Sequence, residues 1–137
     1  MSNTSRIKIG ITLLRIALAF VFLWFGFSQL SDTSMWTAFV PQWAINITGL
    51  SAGLLVLING LLEIIAGSLL AFGIFTRIIA ILLGIHLFMI ALSVGFTAIG
   101  VRDIGLSLAT ITLGFLGGGM FTMTENLEGK TEVISNS

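Results

Sequence analysis

The sequence is most easily read from what it lacks. Its 137 residues contain no cysteine, one proline and one histidine. Without cysteine the chain forms no disulfide, no thiolate metal site, no CxxC redox pair and no c-type haem attachment. Charge is almost as scarce. Six Lys and Arg balance six Asp and Glu, 9% of the chain, where a soluble domain carries roughly 25%. The net charge is zero and no basic patch forms, which argues against nucleic acid as a partner. A Ser/His/Asp order, an HExxH helix, a Walker loop and a GxGxxG turn are all missing, so nothing marks the chain as an enzyme on its own. No grouping of ligand residues points to a metal.

What remains is apolar. Hydrophobic residues make up 56% of the chain and gather in four long runs, at about 9–30, 50–75, 78–96 and 104–123. Each has roughly the 20 residues that a helix needs to cross a bilayer. In lipid, helices satisfy their own backbone polar groups, whereas open strand edges do not. The sequence therefore predicts an all-α fold, an integral membrane four-helix bundle occupying residues 1–123. Residues 124–137 form a polar tail. Arg6 and Lys8 precede the first run, which is longer than a signal-peptide core and lacks a following A-x-A site; a retained anchor helix is expected. An inside N-terminus places Arg6, Lys8, Arg77 and Lys130 on the cytoplasmic side and only Arg102 outside, so both termini are expected in the cytoplasm.

Residues 31–49 are expected to form a kinked interfacial segment. Trp36, Phe39, Val40 and Trp43 share one helical face, and Pro41 interrupts it. The runs themselves are amphipathic in an inverted sense, each with one face of small or polar residues. Arg15, Ala19, Phe22, Gly26 and Gln29 share a face in the first. Asn59, Gly60, Glu63, Ala66 and Gly67 do so in the second. His86 and Ser93 lie on one side of the third, and Asp103, Ser107, Thr110, Gly114 and Gly117 on one face of the fourth. Small residues let helices approach closely in lipid.

Ionisable groups at bilayer depth are costly and mark candidate sites. The candidates are Arg15, Asn59, Glu63, His86, Arg102 and Asp103, with Trp24 or Trp36 as an aromatic flank. An Arg15–Glu63 pair is expected, because the long Arg stem reaches toward the midplane. Asp103 is expected to cap the fourth helix. Each has a plainer reading: a register-fixing ion pair, a helix cap with an interface anchor, and a hydrogen-bonded interior imidazole at His86. One His gives a haem at most one axial ligand, so haem is not expected from this chain alone.

Taken in order, Leu14-Arg15-Ile16, Gly26, Trp36, Pro41, Glu63 with Gly67, Gly73, Thr76-Arg77 and Arg102-Asp103-Ile104 resemble the DoxX-like family of small four-helix membrane proteins, over about residues 10–120. Gln29 stands where a lysine is common in that family. The resemblance implies an accessory subunit of a membrane redox system, in a prokaryotic cell (inner) membrane, close to quinone or thiol chemistry. Quinone is the cofactor it admits. The expected partners are the lipid bilayer and other membrane subunits or a second copy. Two other functions stay open: a non-catalytic structural or assembly subunit, and a carrier of protons or a small solute.

Overall fold

The structure, a computed structural model, describes residues 1–124 and 134–135. Among these residues it is helical throughout, with no strand. Helix α1 (Asn3–Ser31) leads into a broken connector: the single turn α2 (Thr33–Trp36), a 3-10 turn at Thr37–Phe39, and α3 (Gln42–Thr48). Helices α4 (Ala52–Phe72), α5 (Thr76–Val94) and α6 (Ala98–Leu116) follow. The four long helices, α1, α4, α5 and α6, are each apolar and long enough to cross a membrane. The protein is an integral membrane protein.

Local chemistry sets the boundaries. The Asp32 carboxylate accepts the Met35 N–H and opens α2. Proline forces the preceding residue out of the helical region, and Val40 is extended before Pro41, where α3 begins. Ser51 and Thr97 cap α4 and α6 through their hydroxyls. Gly73, at φ +66°, ends α4. Its N–H reaches the Leu70 carbonyl at 3.1 Å and the Ile74 N–H reaches Leu69 at 2.9 Å, the paired closure that a left-handed residue permits. The chain then reverses directly into α5.

Helix α1 lies antiparallel along α4, and α5 along α6, while contact between the two pairs is much sparser. Glycine explains the closeness within a pair. A Cβ on Gly26 would lie 2.7 Å from the Gly60 carbonyl oxygen. The α5–α6 pair has the same design, with Gly84 against the backbone of Ser107 and Ile111. In lipid such backbone approach is itself the source of association, because apolar burial offers no drive there. Leu18, Ala19, Phe22, Leu70, Ala80, Leu83, Leu87 and Leu113 fill the centre. Outside, residues such as Phe20 and Phe115 face the lipid.

The fourth helix differs from the expected 104–123. It starts six residues earlier and stops at Leu116, where Gly117-Gly118-Gly119 turns the chain. Residues 117–124 then run beneath the bundle as a strap. The Met120 N–H donates to Thr12 Oγ1 at 2.8 Å. Thr124 Oγ1 accepts from the Phe75 N–H at 3.0 Å and donates to the Gly73 carbonyl at 3.3 Å. Beyond 124, 134 and 135, the tail expected over 124–137 lies outside the described residues.

Candidate functional site

Among the described residues Glu63 is the most buried acidic group, 4% exposed. Its partners are amides. Gln29 Nε2 donates to Glu63 Oε2 at 2.8 Å, and Asn59 Nδ2 donates to Oε1 at 3.2 Å. Asn59 Nδ2 also donates to Gln29 Oε1 at 2.8 Å, which closes a ring of three side chains across α1 and α4. His86 of α5 joins at 2.6 Å, between its Nε2 and Asn59 Oδ1. Since the Asn59 nitrogen is spent as a donor, Oδ1 accepts, and His86 carries its proton on Nε2.

Arg102 and Asp103 of α6 form the ion pair of this region, with Arg102 Nε and Nη2 both 2.8 Å from Asp103 Oδ1. The guanidinium also lies over the Phe25 ring, 5.1 Å from its centroid, a favourable cation–π placement. Asp103 is not the cap of α6, as the sequence suggested. Thr97 is the N-cap and Asp103 falls a turn and a half inside the helix, facing inward.

The expected Arg15–Glu63 pair does not form. The two residues belong to opposite ends of the bundle. Arg15 is 14 residues before Gln29 on α1, ~21 Å along the axis, and Gln29 is the residue that meets Glu63. The antiparallel register set by Gly26 against Gly60 brings Arg15 to the α4–α5 turn instead: its guanidinium abuts Gly73. There it is 2% exposed, and Nη2 donates to the carbonyls of Met120 and Phe121 at 3.2 and 3.4 Å. Arg15 therefore holds the strap. Lysine keeps the charge and loses the planar fork. Arg15→Lys is expected to cost about 1.5–3 kcal/mol, the worth of a charge-assisted hydrogen bond. Thermal unfolding, with faster proteolysis within 117–124, checks this, and ligand binding at the far end should not change.

Between the two helix pairs, at the connector end, lies a cavity of about 560 Å³. Gln29, Asn59, Glu63, His86, Arg102 and Asp103 all line it. So do Phe25, Trp36, Phe39 and Trp43, with the connector as its roof. Trp36 sets the roof's position. Its Nε1 donates to Ser28 Oγ at 3.1 Å, and its ring meets Phe25 edge-on at 5.5 Å. Trp24 is not part of this wall. It is 65% exposed on the lipid side of α1. The sequence candidates thus divide: five converge on the cavity with Trp36, Arg15 lies at the other end, and Trp24 faces outward. Gln29 was not among them, although it shares the buried face of Gly26. Among the described residues no group of His, Asp and Glu is placed to hold a metal ion.

The DoxX family matches residues 10–96. The chain belongs to the DoxX family. In this DoxX protein the match takes in α1 to α5, and so the Gln29–Asn59–Glu63–His86 network, and ends before α6 with Arg102 and Asp103. No curated protein and no solved structure matches the chain.

Proposed function

We propose that this DoxX protein is a membrane subunit of a quinone-linked redox system in a prokaryotic cell membrane, and that its cavity holds the quinone head. One observation carries the reading: Gln29, Asn59, Glu63, His86, Arg102 and Asp103, drawn from all four spanning helices, collect on the wall of one largely apolar, aromatic-lined cavity. Ligand sites have this composition, and 560 Å³ lies inside their usual range of about 300–1,000 Å³. Trp36, Phe39 and Trp43 supply aromatic surface on the cavity wall. Asp103 uses only part of the Arg102 fork, so its other N–H groups are available to a carbonyl oxygen. Glu63 and His86 are the groups that exchange a proton with the head. Electrons pass to or from a partner redox subunit.

Tryptophan fluorescence tests this. In a Trp24→Phe variant the remaining indoles, Trp36 and Trp43, both line the cavity. Decylubiquinone should quench them saturably, and Glu63→Gln should weaken the binding about ten-fold, ~1.4 kcal/mol. A variant keeping only Trp24 reports quinone merely dissolved in lipid. Equal, non-saturating quenching in both variants overturns the reading. A structural-subunit role is favoured by a different observation, that both Glu63 oxygens already have protein donors. That role predicts Glu63→Gln lowering the yield of the assembled complex while the complex that forms keeps full activity.

A further inference from the structure

The cavity has three sides on which a ligand could enter, and the structure treats them differently. Above, the connector roofs it with Trp36, Phe39 and Pro41. Between α1 and α6, the Arg102 guanidinium sits over Phe25 and bars the gap with a charge held by Asp103. Between α4 and α5 there is neither roof nor charge; a cross-gap bond, His86 Nε2 to Asn59 Oδ1 at 2.6 Å, forms the inner wall that an entering head would meet. These two helices are joined tightly at the Gly73 turn yet touch sparsely along their length. Ile58 and Leu62 of α4 and Met89 of α5 line the cavity, and the same residues are 49%, 41% and 55% exposed on the outer face. Met35, Phe39 and Trp43 of the roof also border the cavity and are 54%, 40% and 50% exposed, but there the aromatic rings and the Trp36–Ser28 bond close the side. At α4 and α5 the bordering side chains are aliphatic or thioether, with no described residue across them on the outside.

We infer that the α4–α5 gap is a lateral portal to the bilayer, and that the occupant is an amphiphile whose head reaches the Asn59–Glu63–His86 wall while its apolar tail stays between Leu62 and Met89. This deepens the quinone reading, since it makes the ligand a long-tailed, membrane-dissolved molecule, but its geometry does not depend on the ring being a quinone. The chemistry fits. The rim is aliphatic and thioether, which suits an alkyl or isoprenoid chain. A soft, unbranched Met at a mouth adapts to a passing chain. A water-borne ligand would instead have to pass the aromatic roof.

The natural absence of cysteine makes the portal testable on the full chain in nanodiscs. Val56 lines the cavity and is 4% exposed, so Val56→Cys places a thiol behind the mouth with little change in shape. N-dodecylmaleimide dissolved in the lipid should label it, and a charged, water-soluble methanethiosulfonate should not. Adding Leu62→Trp or Met89→Trp should slow labelling about ten-fold, ~1.4 kcal/mol of barrier. Leu57→Cys, on the lipid face, should label equally fast with and without either tryptophan, which controls for folding. The inference is overturned if the charged reagent labels Val56→Cys faster, if the tryptophans leave the rate unchanged, or if Val56→Cys stays inert while Leu57→Cys reacts. Quinone binding is read separately: decylubiquinone should protect Val56→Cys and a tail-less ring of the same type should protect it less. Portal-dependent labelling without protection leaves the portal standing and rejects quinone as the occupant.

Discussion

Glu63→Leu should lower the unfolding temperature more than any other single change at the cavity. Leucine fills the volume but strands Gln29 Nε2 and leaves Asn59 Nδ2 with its bond to Gln29 Oε1 alone. A buried donor left without its partner costs about 1–3 kcal/mol. Inside a bilayer bundle, measured hydrogen-bond coupling averages nearer ~0.6 kcal/mol, so the expected loss is ~1–3 kcal/mol. Glu63→Gln retains a carbonyl acceptor and should lose less. The replacement of Gln29, Asn59, Glu63 and His86 together by leucine removes donors and acceptors together, and should recover much of the loss, because a polar network exchanged whole for apolar groups is often nearly neutral. Thermal unfolding of the four proteins in one detergent ranks them. If Glu63→Leu unfolds with the wild type, the three side chains do not bind α1 to α4.

A comparable loss is expected at a residue with no chemistry at all. In Gly26→Leu the new Cβ meets the Gly60 carbonyl at 2.7 Å, and Ile64 Cγ1 lies just as close. A backbone carbonyl cannot turn aside, so α1 and α4 must separate. Overpacking costs about 1–3 kcal/mol where neighbours can yield, and this site should reach or pass the upper end. The change also moves Gln29, one turn on, away from Glu63. The variant should therefore lose both stability and ligand binding, whereas Gly10→Leu, with nothing within 4 Å, should lose neither. Saturable quenching retained by Gly26→Leu would mean that the α1–α4 spacing does not set the site.

These two positions also show how far the sequence alone reaches. The buried face Gly60, Glu63 and Gly67 of α4 follows from helical spacing and is found buried, as is the Asp103, Ser107, Thr110, Gly114 face of α6. Periodicity reports which side of a helix turns inward. It does not report register between helices, and register decided Arg15. A slide of about ten residues separates the neighbour it was expected to have from the turn it meets. That slide is fixed by where two glycine backbones touch, an interaction without a side-chain signature. The end of α6 was obscured for a related reason. Phe115 to Met123 is apolar enough to extend a span, and only the three consecutive glycines hint that the chain turns there. Gln29 was the informative departure. Where a lysine is common in the family, the neutral amide accepts from Asn59 and donates to Glu63 at once, which an ammonium group, having no acceptor, cannot do.

The strap gives the molecule two unlike poles. At one, helices and connector enclose a hollow. At the other, residues 117–124 lie across the bundle, and the Arg15 guanidinium is bonded to their backbone above a floor of packed Leu18, Leu70, Leu83 and Leu113. The shape is a blind cup rather than a conduit. A ligand that enters by the α4–α5 gap would return the way it came, and vectorial passage through this single chain would require opening the floor where Arg15 is bonded to the strap.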